Sequence, residues 1–221
     1  MRVTILGATG RIGSIVLADA LVAGHTVAIL TRRHAAVQAA SGVSVFQGDI
    51  TNAAAIVRAI DGSDAVVAAL GPRTNSLGAE MELEVGMRHL VGAMTEAGVS
   101  RLIALSGAAV DVPGDAKPVV DRVVSRFVRL AARHVVGAKQ REFAVFAASD
   151  LEWTALRPPI VTDGDSRDYQ LSDRLRPGAR VTRLAVAAAM VAQLEDRSFV
   201  RKAPFVLPGG PTSDDVGAAS R

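Results

Sequence analysis

The residues with the clearest chemical meaning stand near the start of the chain, as Gly7-Ala8-Thr9-Gly10-Arg11-Ile12-Gly13. Three glycines, each three places from the next, follow an apolar β-branched run and precede an Ala/Val/Leu-rich helical one. Gly7 lets the chain turn sharply off a strand, Gly10 lets backbone approach a pyrophosphate, and Gly13 lets the next helix lie close on a sheet. The free N–H groups from Thr9 to Ile12, at the positive end of that helix, then form an anion site. Glycines also build turns that bind nothing. What favours a phosphate loop is the context of strand, turn and helix within the first βαβ unit.

Arg32 and Arg33 close the second strand-like run. A site that selects NAD places Asp or Glu here for the ribose 2′-hydroxyl. Two adjacent guanidiniums suit a 2′-phosphate instead, so the residues point to NADP(H). The competing reading is that they cap a helix start or face water. Asp49 and Ile50, just past the third run, would lie beside an adenine, where a short carboxylate can accept from the exocyclic amine. Asp49 could equally be a turn residue or a helix cap.

These residues need elements to hold them. Arg2–Leu6, Thr26–Thr31, Val43–Gln47, Asp64–Leu70, Arg101–Ser106 and Leu151–Leu156 read as buried strands, apolar without alternation. Helices are expected at Arg11–Ala23, Ala35–Ala40, Asn52–Ile60 (capped by Thr51), Ala79–Ala97 and Val119–Ala148, with Gly24, Gly62 and Gly98 at three of their ends. The alternation predicts an α/β fold, a doubly wound parallel sheet with helices on both faces. After Pro158 comes a polar, turn-rich stretch, then a helix at Arg183–Asp196 and a strand at Ala203–Leu207. The expectation is a single domain over residues 1–208, a small C-terminal cap from 107–118 and 161–180 over the carboxyl edge, and a flexible tail at 209–221.

Composition narrows the function. The chain has 221 residues, 49% of them hydrophobic, enough for a sizeable core. It has no cysteine, which excludes disulfide scaffolds, thiol catalysis and cysteine-ligated metals. The four histidines are scattered, so no metal site is expected. A net charge of +3 gives no clustered field for nucleic acid. No run is long and apolar enough for a membrane span, and the strand at the start leaves no room for a secretory leader, so a cytoplasmic protein is expected.

On Gly7–Gly13, on Gly48-Asp49-Ile50, on Leu102–Ser106 and on the run Leu151–Pro159 ending Leu-Arg-Pro-Pro, the chain resembles the atypical short-chain dehydrogenase/reductase superfamily. Within it, the chain is similar to the NAD(P)H-binding branch of NmrA-like proteins and the biliverdin reductase B/flavin reductase type. Lys139 and Glu142 also fit. The resemblance implies a Rossmann-like oxidoreductase. Gly7, Thr9, Gly10, Arg11, Ile12 and Gly13 would hold the pyrophosphate, Arg32 and Arg33 the 2′-phosphate, Asp49 and Ile50 the adenine. Leu70, Gly71 and Pro72 would pass the nicotinamide ribose, Ser106 would face the nicotinamide, and Pro158, Pro159 and Ile160 would back the ring. Ser106 and Lys139 are the candidate catalytic residues, one orienting, the other holding ribose. Against these stand blander readings: a strand-end hydroxyl satisfying backbone, and a solvated helix lysine.

One departure bears on the chemistry. Reductases of this superfamily commonly protonate substrate with a tyrosine four residues before such a lysine. Here that position is Val135, and the only tyrosine, Tyr169, lies after Lys139. Carbonyl reduction and sugar-nucleotide epimerisation need that acid/base. A flavin, quinone or tetrapyrrole acceptor needs less, because its reduced form is a delocalised anion that collects a proton from water. His134 is a poorer proton source. The expected activity is hydride transfer from NADPH to a planar conjugated small-molecule acceptor. The alternative is a non-catalytic NmrA-like sensor of NADP(H), and an epimerase or dehydratase is third. Monomer and homodimer both remain open. Arg122, Arg126, Arg129 and Arg133 line one helix face, read as solvated, with a basic patch as the other possibility. Trp153 reads as core, and Met81, Met87 and Met94 as a packing stripe or a dimer contact.

Overall fold

The computed structural model of the protein describes residues 1–32, 41–113, 115, 133–176 and 178–210. The helix expected at Ala35–Ala40, Arg33, the stripe residues Arg122, Arg126 and Arg129, the expected helix before Arg133, part of the 107–118 cap element and most of the expected tail lie outside these residues.

Six parallel strands form the central sheet: β1 (Arg2–Leu6), β2 (Thr26–Thr31), β3 (Val43–Gln47), β4 (Ala65–Ala68), β5 (Arg101–Leu105) and β6 (Glu152–Leu156), in the order β3-β2-β1-β4-β5-β6. Five helices are described: α1 (Gly13–Val22), α2 (Ala53–Ile60), α3 (Leu77–Ala97), α4 (Arg133–Ala147) and α5 (Arg183–Ala192). The doubly wound Rossmann-like reading holds. Because successive strand side chains point to opposite faces, the apolar runs divide between two cores. Val3, Ile5, Val27, Ile29, Ala65, Val67 and Ile103 pack with α1 and α5. Leu6, Leu30, Val66, Ala68, Leu102 and Ala104 pack with α2, α3 and α4. On the second face Phe143, Phe146 and Trp153 meet at ring-centroid distances of 5.4 to 5.6 Å, so Trp153 is core as expected.

Some local expectations need correction. Thr51 does not cap α2: its N–H and hydroxyl both donate to Asp49 Oδ1, at 2.9 and 2.6 Å. The cap is Asn52, whose side chain accepts from the Ala55 N–H. α3 starts at Leu77, two residues early, because Ser76 accepts from the Ala79 N–H. Met87 and Met94 are buried in the core, whereas Met81 is exposed, so the three do not share one packed stripe. The strand expected at Asp64–Leu70 is regular only over Ala65–Ala68.

The stretch after Pro158 is more ordered than its turn-rich sequence implies. β7 (Ile160–Thr162) pairs in parallel with β9 (Arg180–Thr182), and β8 (Tyr169–Ser172) pairs antiparallel with β10 (Phe205–Pro208). Parallel bridges from Thr154 to Lys202 and from Arg157 to Phe205 carry the chain before β10 alongside β6 as an irregular extension of the sheet. Among the described residues no helix is long and apolar enough to cross a membrane.

The cap assignment is testable by chemical denaturation. Asn52→Ala should cost about 1 kcal/mol of stability, as lost N-caps do. Thr51→Ala, which removes only an exposed hydrogen bond, should cost under about 0.5 kcal/mol.

Candidate functional site

The strand order reverses between β1 and β4, the place where open parallel sheets leave a crevice at their carboxyl ends. A crevice of about 910 Å³ opens there. Gly7 turns the chain off β1 with φ +85°, and its carbonyl accepts the Gly10 N–H at 2.9 Å. A Cβ at Gly7 would lie 2.5 Å from the Ala69 carbonyl oxygen, so the turn sits directly against the exit of β4. A Cβ at Gly13 would lie 2.0 Å from the Gly7 oxygen, so α1 rests on the turn itself. α1 has no side-chain cap and no acid in its first turn, which leaves its N-terminal field uncancelled.

Of the residues singled out in the sequence, Gly7, Thr9, Gly10, Arg32, Asp49, Ile50, Leu70, Gly71 and Pro72 line this crevice. Arg11, Ile12 and Gly13 belong to the turn and helix start without lining it. Ser106, Pro158, Pro159 and Ile160 follow the exits of β5 and β6 and Lys139 lies on α4; none of them lines the crevice, and Ile160 is exposed. Ile50 is held from behind by α3, where a Cβ at Gly86 would come within 2.5 Å of its side chain. Arg73 and Glu82, which the sequence reading missed, also line the crevice and pair with each other at 3.1 Å, both about half exposed. Their one sequence signal is position: Arg73 directly follows Gly71-Pro72 at a strand exit.

Lys139 is neither solvated nor free. Its Nζ donates to the carbonyl oxygens of Leu70 and Leu105 and to Glu142 Oε2, each at 2.6 Å. All three of its protons are therefore engaged by protein. Burial pushes the Glu142 carboxyl up, against the pull of the Lys139 ammonium. Ser106 donates its backbone N–H to Leu156 at 2.8 Å, while its buried hydroxyl has no hydrogen-bond partner among the described residues. The hydroxyl therefore does not satisfy backbone.

Among the described residues the other candidate acids are engaged elsewhere. Val135 is half-buried on α4. Tyr169 is on β8, where burial raises its phenol and the Asp196 charge adds to the effect. Asp196 accepts, through its carbonyl, from Arg101 at the amino end of β5, the edge opposite the crevice. His134 has Nδ1 3.0 Å from Glu80 Oε2 and its Nε2 accepts from Arg133 Nε at 3.1 Å, so both ring nitrogens are engaged.

The profile of the family described as NAD(P)H-binding matches residues 7–197. Among solved structures, the chain is similar to a Rossmann-fold NAD(P)-binding family protein from Shigella flexneri, with 25% identity, 96% of each chain covered and a TM-score of 0.71. It shares its fold with a short-chain dehydrogenase/reductase from Veillonella parvula solved in complex with NADP, at 23% identity, covering 96% of this chain and 95% of that one with a TM-score of 0.73. It also shares its fold with an anaerobillin reductase from Escherichia coli, at 20% identity, covering 96% and 99% with a TM-score of 0.79.

The turn geometry gives a direct test by thermal or chemical unfolding. Gly13→Ala, which drives a methyl into the Gly7 carbonyl, should cost about 3 kcal/mol or more. Gly71→Ala, where nothing lies within 4 Å of the added Cβ, should stay within about 0.5 kcal/mol of wild type.

Proposed function

Because the chain belongs to the family described as NAD(P)H-binding, we propose that its crevice holds NADPH in preference to NADH and that the protein is an oxidoreductase that reduces a planar, conjugated acceptor of the flavin or quinone type. The coenzyme fits the residues present. The turn closes against β4 with no side chain in the way, the helix start behind it is uncapped, and Arg32 is exposed at the crevice wall. Gly7, Thr9, Gly10, Arg11, Ile12 and Gly13 would surround the two linked phosphates, and Arg32 with Arg33 the 2′-phosphate. Asp49 Oδ1 is already engaged by Thr51, so acceptance from the adenine amine falls to Oδ2. Leu70, Gly71 and Pro72 would border the ribose next to the nicotinamide, and Ser106 with Pro158, Pro159 and Ile160 would face the ring. When bound, the reduced nicotinamide supplies a hydride equivalent.

The observation that carries the acceptor class is the lack, among the described residues, of a placed proton donor. Val135 stands where related reductases carry their acid, Lys139 has no spare proton, and Tyr169, on β8, does not line the crevice. What remains for the acceptor is the unpartnered Ser106 hydroxyl, which can orient a carbonyl or ring nitrogen. An acceptor under Thr74–Gly78 and Val161–Arg180 whose reduced form is a stable delocalised anion needs no more than that. The same lack of an acid supports the second reading, a protein that binds NADP(H) and signals its redox state to a partner without turnover.

Two measurements test this. By calorimetry NADPH should bind clearly tighter than NADH, and replacing Arg32 and Arg33 together by alanine should erase most of that preference; equal dissociation constants in the wild type refute it. Purified protein with NADPH and FMN, FAD or a benzoquinone should consume the reduced coenzyme, followed by its near-ultraviolet absorbance. Binding without turnover across all three acceptors selects the sensor reading instead.

A further inference from the structure

The last paired residues of β4 and β5 are Ala68 and Ala104. Beyond them the two chains part, β4 towards Leu70-Gly71-Pro72 at the crevice and β5 towards Ser106. At this fork, where no ladder bond joins the strands, the ammonium of Lys139 bridges the Leu70 and Leu105 carbonyl oxygens. Its third proton goes to Glu142, one turn on along α4, whose side chain is 2% exposed. At 2.6 Å all three are short contacts, and an ionised donor shortens and strengthens such bonds.

We propose that Lys139 and Glu142 form a buried clasp that fixes the spacing of the β4 and β5 exits and so sets the seat of the nicotinamide half of the coenzyme. Lys139 is then a positioning residue and does not contact the ribose. This rests on the coenzyme reading above. The clasp has the right reach: Leu70 lines the crevice, and Leu105 is bonded directly to Ser106, whose buried hydroxyl has no partner among the described residues. Glu142 completes the clasp by keeping the ammonium turned into the fork. A lysine that merely neutralised a buried carboxylate would not need two backbone carbonyls from different strands, and a ribose ligand would not have all three protons already engaged.

Glu142→Gln separates these roles, because Glu142 itself touches no coenzyme in either. Wild type and variant are titrated by calorimetry with NADPH and with adenosine 2′,5′-bisphosphate, which carries only the adenine end and the 2′-phosphate, and thermal unfolding is recorded in parallel. The variant should bind NADPH about tenfold more weakly and the bisphosphate as wild type does. Should Glu142→Gln fail to fold, the double variant Lys139→Met/Glu142→Leu replaces the pair by apolar side chains, a change that buried ion pairs often tolerate. It should bind the bisphosphate normally and NADPH weakly. A folded variant that binds NADPH as wild type does overturns the clasp. Tighter NADPH binding by Glu142→Gln overturns it in favour of a ribose ligand released from its carboxylate, and equal weakening of both ligands overturns it in favour of a general packing role. A wild-type protein that binds neither ligand overturns the underlying coenzyme reading instead.

Discussion

The structure depends on two side chains that cannot exist. Any atom beyond Cα at position 13 would collide with the Gly7 carbonyl, and any at position 7 with the Ala69 carbonyl. Helix α1 therefore rests on the turn, the turn rests on the exit of β4, and the strand exits open a crevice with backbone for a floor. An anion held there meets N–H groups with no intervening side chain, which is what a dianionic diphosphate requires of a protein. The right-handed crossovers of a parallel sheet place this junction at the order reversal. Geometry at two glycines thus decides where a coenzyme of this family can lie.

The chemistry available at the other end follows from what surrounds it. A carbonyl acceptor becomes an alkoxide on reduction and must be met by an acid of matched pKa. The titratable groups closest in sequence to that role are all committed: His134 to Glu80 and Arg133, Lys139 to two carbonyls and Glu142, and Tyr169 to a half-buried position on β8 within the field of Asp196. A site so furnished suits an acceptor that carries its own charge by delocalisation, or no acceptor at all.

How much of this was legible beforehand depended on how local the determining physics is. Buried parallel strands are short runs of apolar residues, and β1, β2 and β3 lie where those runs predict them, residue for residue. The glycine turn was legible because strand, turn and helix are contiguous. β7, β8 and β9 were not: they span three or four residues each, show no alternation, and owe their pairing to partners elsewhere in the chain. The cap of α2 was displaced by one residue because Thr51 and Asn52 are both competent caps. Asp49, by engaging the threonine, decides between them. Lys139 shows the limit most plainly. Its position relative to Glu142 places both on one helix face, but no spacing reveals that this face is buried over a fork in the sheet.

That fork belongs to a wider pattern. A parallel sheet leaves backbone carbonyls without ladder partners wherever its strands part, and burial makes each such group costly. Here three buried cations answer the need. Arg101 at the amino end of β5 donates to the Glu152, Gln193 and Asp196 carbonyls, stitching β6 and the end of α5. Lys139 closes the carboxyl ends of β4 and β5. Arg157 at the end of β6 donates to the Ala203 carbonyl and, bidentately at 2.5 and 2.7 Å, to Asp115, joining the extension of the sheet to the segment after β5. Cations suit these places because several carbonyl dipoles converge on each, and a neutral donor could satisfy only one or two. The same arithmetic explains why only one of the three bears on function. Arg101 holds the edge away from the crevice, and Arg157 holds a segment beyond it. Lys139 alone ties a strand that ends in the crevice to the one that ends in Ser106.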